Sequence, residues 1–378
     1  MSDITLTSAV RSNLNALTAT ADMMSKVQEK LATGKKVNSA LDNPNSFFTA
    51  KGLENRAGDL GTLLDDMGQA TQTLKAADKG IEAISDLVDA AKAKANQALQ
   101  TSDLSQRSKF AKEYNDLLGQ MEDLAKDSDY KGKNLLAGTG NDLSVNFNED
   151  NTSSLSINAI DYTDSSAGLG LSDITAGANG DNSFAVGAAA ALDTVTLATH
   201  ASFADGDTIS VTGGDGKEIG EFSVTATTTI AEFETFVNGL EGVSATYDAA
   251  DGELDMTAEG QQVTITNETG PVQLAQAGTN SGFTNDSDIE ASLSALKSAQ
   301  DTLRSQASTF GTNLSIVQNR QDFTTALINT LEEGAGKLTL ADTNTEGANL
   351  LALQTQQQLA STSLSMASQA SQNVLRLF

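Results

Sequence analysis

Between Leu60 and Ala98 the chain reads LGTLLDDMGQATQTLKAADKGIEAISDLVDAAKAKANQA. Leu60, Leu63, Met67, Ala70, Leu74, Ala77, Ile81, Ile84, Val88, Ala91, Ala95 and Ala98 recur at alternating steps of three and four. That spacing keeps a single apolar stripe on one face of a long α-helix and turns it toward a partner. Gly61, Gly68 and Gly80 fall off the stripe, so they weaken the helix without interrupting its contact face.

The same spacing appears on both sides of this segment. At the N-terminus it runs through Leu6, Val10, Leu14, Leu17, Ala21, Met24, Gln28 and Leu31, and a stop follows at Thr33-Gly34-Lys35-Lys36. Gly suits the C-terminal cap there and Lys suits the negative helix end. Asp42-Asn43-Pro44 then restarts a helix, with Asn43 as N-cap and Pro44 at the first helical position. A further helix opens near Asp103, carries Phe110, Tyr114, Leu117, Met121 and Leu124, and ends around Ser128 to Gly132.

From about Asp288 a long stripe takes in Ile289, Leu293, Leu296, Gln300, Leu303, Ala307, Phe310, Leu314, Val317, Gln321, Thr324, Ile328 and Leu331. The last stripe runs through Leu350, Leu353, Gln357, Ala360, Leu364, Ala367, Ser371, Val374 and Phe378. Terminal residues fray unless something ties them down, so a stripe that reaches each end predicts a partner helix. The first candidate is the opposite terminus, followed by copies of both from neighbouring subunits.

The centre changes period. Thr194 to Ala198, Thr208 to Thr212 and Glu218 to Thr225 alternate apolar with polar, and Gly213-Gly214-Asp215-Gly216 supplies a hairpin turn between the last two. Val243 to Asp248 and Glu253 to Thr257 form a second hairpin around Asp251-Gly252. Between the hairpins Ile230, Phe233, Phe236, Val237 and Leu240 predict one short amphipathic helix, closed by Gly239 or Gly242. The fold class is therefore mainly α: a discontinuous long-helix coiled-coil rod formed by the N- and C-terminal segments, with an inserted β-rich (α+β) domain.

Composition narrows the function classes. With no Cys, no Trp, one His and two Pro in 378 residues, the chain lacks the usual material for disulfides, structural zinc or His-based catalysis. The net charge of −27 is concentrated in residues 134–296, which hold 25 acidic residues against the single base Lys217. Near-neutral ends can associate without mutual repulsion, while a strongly acidic insert stays solvated. Nucleic acid is excluded as a partner, because phosphate binding needs clustered Lys/Arg.

No run of some 18 apolar residues is present, and the start Met1-Ser2-Asp3-Ile4-Thr5 has neither the basic nor the apolar region of a cleaved signal peptide. Neither membrane insertion nor the general secretory route is expected. Asp205-Gly206-Asp207 and Gly213 to Gly216 do not recur at a fixed period and read as turns rather than calcium repeats. His200 has no second His or Cys to share a metal, and the sequon Asn267-Glu268-Thr269 matters only in a secretory pathway. No catalytic, cofactor or metal site is expected.

Several motifs, taken together, resemble one family. Ser12-Asn13-Leu14-Asn15-Ala16-Leu17, the run from Leu31 to Pro44, Leu314-Ser315-Ile316-Val317-Gln318-Asn319-Arg320 and the C-terminal Gln372-Asn373-Val374-Leu375 are similar to the ends of bacterial flagellin. The Asp-Asn-Pro variant resembles its alphaproteobacterial branch. The resemblance covers about 130 residues at the front and 90 at the back, and does not extend to the insert.

It implies a self-assembling filament subunit divided into an inner-tube coiled coil (1–43 with 336–378), an outer helical tube (44–139 with 286–335) and a surface insert (140–285). The implied assembly surface is Leu6, Val10, Leu14, Leu17, Met24, Leu31, Leu350, Leu353, Leu364, Val374, Leu375 and Phe378. The implied rod core is Leu60, Leu63, Met67, Leu74, Ile81, Ile84, Val88, Phe110, Leu117, Leu296, Leu303, Phe310, Leu314 and Val317.

Neighbouring flagellin subunits, the export apparatus and its chaperone, the filament cap and the hook–filament junction proteins follow as partners, and export without a cleaved signal as the route. Flagellins sensed by the vertebrate innate receptor carry an arginine-rich run where this chain departs from them with Asp89-Ala90-Ala91-Lys92-Ala93-Lys94, so weak or absent activation is expected. Two rival readings are a hook–filament junction protein, which shares the helical ends but forms a short ring, and an adhesin or glycan-binding protein acting through the insert. The insert has no Trp and only Tyr162 and Tyr247 for stacking on sugars.

Overall fold

A computed structural model describes residues 8–185, 196–199, 203–267, 273–275 and 278–375. It divides into two compact units: residues up to Gly68 with Asn146–Ser154 and those from Gln318 onward, and Gln69–Val145 with Leu155–Val317. Five long helices run through them: α1 (Ser8–Thr33), α2 (Pro44–Gln100), α3 (Leu104–Asp127), α6 (Asp286–Thr339) and α7 (Thr343–Leu375).

The expected punctuation is present. Gly34 takes φ +70° directly after α1, a conformation in which any side chain is strained. Asn43 Oδ1 accepts the Ser46 N–H at 3.1 Å and opens α2. Asp103 accepts from the N–H groups of Ser105 and Gln106 and opens α3.

In the first unit α1 and α7 pack against each other. Asn13 Nδ2 donates to Ser363 Oγ at 3.4 Å and Lys30 pairs with Glu346 at 3.2 Å, so the two helices run antiparallel. Backbone bonds lock the base of this pair: Lys36 N–H to Thr339 O at 2.7 Å and Ala341 N–H to Gly34 O at 2.9 Å. Ala57 and Leu60 of α2 meet Leu331 of α6, with Leu53, Leu63, Leu327 and Ile328 around them.

In the second unit Ala70, Leu74, Ala77, Ile81, Ile84, Val88, Ala91, Ala95 and Ala98 are all buried along α2. The Gln300 amide of α6 hydrogen-bonds Asp89 of α2. Lys94 of α2 pairs with Glu113 of α3 at 2.6 Å. The buried stripe of α3 is Leu104, Ser108, Ala111, Tyr114, Leu118, Met121 and Ala125. The expected Tyr114 and Met121 lie on it, while the expected Phe110, Leu117 and Leu124 are half-buried one position away from Ala111, Leu118 and Ala125, which take the buried places.

The insert begins with a hairpin of β1 (Leu143–Asn146) and β2 (Ser154–Ile157), followed by the short α4 (Ser165–Leu169). Two antiparallel sheets follow. One has the order β3-β7-β6, from Gly180–Ala185, Glu253–Ala258 and Val243–Asp248. The other is β5-β4-β8-β9, from Glu218–Ser223, Thr208–Thr212, Thr264–Asn267 and Gln273–Ala275.

Both expected hairpins are present, as is the expected helix, α5 (Ile230–Asn238), whose Thr229 and Glu232 form a capping box. Phe233 and Val237 of α5 share a core with Ile209, Val211, Leu254 and Met256. The strand expected over Thr194 to Ala198 is not found. Thr194 and Val195 lie outside the described residues, Thr196 makes a single bridge to Thr229, and Leu197–Thr199 is a 3-10 turn whose Leu197 is buried.

The insert is seated on α3 by close backbone approach and by a buried guanidinium. A Cβ on Gly260, which sits at φ +64°, would lie 2.5 Å from Cβ of Ser108, so only glycine fits. Arg107 Nε donates to Thr101 O at 2.7 Å, Nη1 to Thr284 O at 2.8 Å and Nη2 to Asp286 at 2.6 Å. This ties the end of α2, the start of α3 and the start of α6 to one side chain.

Arg107→Ala is expected to lower the stability of this unit by about 2–4 kcal/mol, chiefly by leaving carbonyls without their donor. The Asp286 ion pair adds less, because that carboxylate is largely open to water. Urea denaturation followed by circular dichroism measures this, and an unchanged midpoint would contradict it.

Candidate self-assembly surface

With Ala21 and Lys30 half-buried beside it, the contact face of α1 centres on Val10, Asn13, Leu17, Thr20, Met24, Val27 and Leu31. These again follow steps of three and four. Val10, Leu17, Ala21, Met24 and Leu31 are the expected residues, while Asn13, Thr20 and Val27 share the face and the expected Leu14 and Gln28 are exposed. Small side chains let the helices come close, and the Thr20 hydroxyl is satisfied within its own helix by Ala16 O at 2.8 Å. Leu14 is left 41% exposed.

On α7 the half-buried face is Leu350, Leu353, Gln357, Ala360, Leu364 and Ala367, the expected stripe. The expected Leu6 and Phe378 lie outside the described residues, as do the side chains of Val374 and Leu375. His200 and part of the sequon at Asn267 to Thr269 also lie outside them.

A second apolar face exists on α7. Leu351 and Leu359 are each 67% exposed and Met366 is 61% exposed. At about 100° per residue, these three gather in one sector roughly opposite the stripe that meets α1. Steps of seven and eight residues on the far side of a helix are readable in sequence, but the larger inner stripe masks them. Met23 and Leu14 extend the open apolar surface along the flanks of α1. Leu41, Phe48 and Leu340 do so around the link between α1 and α2 and that between α6 and α7.

The expected rod-core residues are distributed as follows. Leu60, Met67, Leu74, Ile81, Ile84, Val88, Leu296, Leu303, Phe310 and Val317 are buried. Leu63, Phe110, Leu117 and Leu314 are half-buried at the flanks of their stripes. Among the described residues no group of three His, Cys, Asp or Glu could hold a metal ion, and no helix is long and apolar enough to cross a membrane.

Two carboxylates order the turns that bound the α1–α7 pair. Asp42 accepts the N–H groups of Asn38 and Ser39 at 3.0 and 2.9 Å. These bonds, that from the Ser39 backbone foremost, hold its carboxyl below the usual range. Asp342 accepts the Thr345 hydroxyl at 2.9 Å and the Thr345 and Asn344 N–H groups at 3.2 and 2.9 Å. Its carboxyl is lowered too, by the Thr345 hydroxyl most of all.

Known proteins match this chain at both ends. The family model for the bacterial flagellin N-terminal helical region matches residues 4–141, and that for the C-terminal helical region matches residues 293–378. Flagellin A of Rhizobium meliloti is 27% identical over 410 residues, covering 100% of each chain. Flagellin D of strain 1021 is 28% identical over 412 residues with the same full coverage. Flagellin B of that strain is 52% identical over 59 residues, 16% of this chain and 15% of its own. The crystal structure of Xanthomonas campestris FlgL covers 76% of this chain and 99% of its own at 14% identity, with a TM-score of 0.28 too low to carry an argument.

A group whose pKa is lower in the folded than in the unfolded state adds stability that is present above the unfolded value and lost as pH falls through the folded one. The Asp42 and Asp342 turns are therefore expected to stay ordered at neutral pH and to loosen only below the ordinary aspartate value of about 3.9. Amide signals of Ser39 and Thr345 in an acid titration by NMR report this, and loosening near neutrality would contradict it.

Proposed function

We propose, for a chain that belongs to the bacterial flagellin family and is a structural subunit of the flagellar filament, that the α1–α7 pair is the part that polymerises. The chain forms a homopolymer with other flagellin subunits, and its place is the extracellular filament used for motility. The observation that carries the proposal is the pair of opposed apolar faces on α7, one against α1 and one open. A neighbouring subunit's terminal helices supply the surface that the open face lacks.

In this reading residues 1–43 with 336–378 form the inner tube. Residues 44–139 with 286–335 form the outer tube, and 140–285 face water. The assembly residues are Val10, Leu17, Met24 and Leu31 on α1, with Leu350, Leu353 and Leu364 on α7. Leu14 acts outward toward a neighbour rather than inward. Leu6, Val374, Leu375 and Phe378 continue the two stripes in sequence.

Apart from Thr20 and Val27, the seam of the lone helix pair is only half-buried, so the terminal helices order fully only on assembly. Weakly held termini also suit passage of the unfolded chain through an export apparatus, with a chaperone covering the apolar stripes beforehand and cap and junction proteins meeting them afterwards. The acidic insert keeps finished filaments solvated. The role is architectural and calls for no enzymatic chemistry. Neither a short junction ring nor a glycan-binding insert draws support from the matches.

Deleting residues 1–34 or 345–378 is expected to abolish polymerisation while circular dichroism shows that the remaining helices and sheets stay folded. Negative-stain electron microscopy after seeding or salting out is the check. Long filaments from either truncated protein would overturn the proposal.

A further inference from the structure

Gln261 is 2% exposed, and its Oε1 meets no hydrogen-bond donor. A buried amide oxygen without a donor costs free energy that the fold does not recover. This side chain lines a cavity of about 280 Å³ in the second unit, between the N-cap of α3, the turn joining β4 to β5 and the residues that follow α5. A half-turn about the soft terminal torsion of a glutamine exchanges its amide oxygen and nitrogen, so the acceptor adapts to a donor that enters.

The cavity is one-sided in charge. Asp103, Asp215, Glu218 and Glu241 bring four carboxylates to it, and the one base at its edge, Lys217, pairs with Asp215 at 3.0 Å. Asp103 Oδ1 accepts the N–H groups of Ser105 and Gln106. Asp103, Glu218 and Glu241 are therefore left without a counter-charge among the lining residues. Leu104, Ile219 and Leu240 supply apolar wall beside them.

These features specify an occupant. It donates a hydrogen bond to Gln261, carries positive charge toward the carboxylates and lays an apolar stem along the leucines. A metal ion has no stem, and among the described residues no group of three His, Cys, Asp or Glu could hold one. A short alkyl chain ending in an ammonium or guanidinium group meets all three demands, with its methylenes on the apolar wall and its head at the charges.

We infer that this cavity binds an alkylammonium or alkylguanidinium group, with Gln261 as its hydrogen-bond acceptor and Glu218 and Glu241 as its charge partners. Such a group comes as a free small molecule or at the end of a lysine or arginine side chain, and the chemistry at Gln261 is the same for both. The inference goes beyond filament assembly and concerns a single subunit, so the two stand or fall separately.

The test is a titration of full-length monomer followed by NMR at the Gln261 side-chain amide and the Leu104 and Leu240 methyls. The probes are n-butylguanidinium, capped arginine amide as the side-chain source and n-butanol as the neutral control. Saturable shifts with n-butylguanidinium are expected, with a Kd on the order of 1 mM. Capped arginine shifting the same signals would identify a protein side chain as a source, and its failure to do so would restrict the site to free small molecules; both support the site.

Glu218→Gln/Glu241→Gln should weaken binding about fivefold, with unchanged circular dichroism because both residues are exposed. Gln261→Met, which removes the acceptor, should weaken it about tenfold. No saturable shift with n-butylguanidinium, an equal response to n-butanol, or unchanged affinity in the Glu218→Gln/Glu241→Gln protein would overturn the site.

Discussion

Two antiparallel helices share only one seam. That geometric limit governs the α1–α7 pair, because each helix offers its partner one stripe and leaves the rest of its circumference to water. The seam is also thin: Asn13 and Thr20 stand among Val10, Leu17 and Val27 on one side, and Gln357 and Ala360 among leucines on the other. A helix carrying Leu351, Leu359 and Met366 on its outer face is therefore incomplete as a single molecule. Exposed leucines scattered singly are ordinary on a protein surface, but a second stripe opposite the first is a contact surface awaiting a partner.

The other unit shows what a finished core looks like in the same chain. Along α2 from Ala70 to Ala98 the stripe is buried at every third or fourth residue, and five of its nine members are alanine, which permits close approach of the packed helices. The insert completes its own core around Phe233, Leu254 and Met256 and is fastened by Arg107 and by glycines that no other residue could replace. Its acidic side chains accumulate on outward positions such as Asp181, Asp248 and Asp255, all exposed to water. Assembly and solvation are thus assigned to different parts of the sequence.

Much of this was legible without coordinates, since periodicity alone places the five long helices, both central hairpins and α5. What it misjudged was rotation. A periodic reading favours the largest apolar residues, so it puts Leu14 and Phe110 on contact faces that packing gives to Asn13 and Ala111. The strands β1, β2, β8 and β9 escape a periodic reading because three or four residues carry too little alternation, β3 escapes it because it opens on the polar run Gly180-Asp181-Asn182-Ser183, and Leu197 reads as strand but is buried in a 3-10 turn. The outer stripe of α7 escapes a periodic reading for a related reason, because an apolar residue in a sequence does not announce whether its partner lies in the same molecule.

The central claim is that α1 and α7 are completed by neighbours. Hydrogen exchange measured by mass spectrometry on the same full-length protein, as monomer and as polymer, tests it most directly. The account predicts fast exchange across residues 8–33 and 343–375 in the monomer and strong protection in the filament, with α2 from Gln69 to Gln100 protected in both. Strong protection of the terminal helices already in the monomer, or none gained on polymerisation, would contradict it.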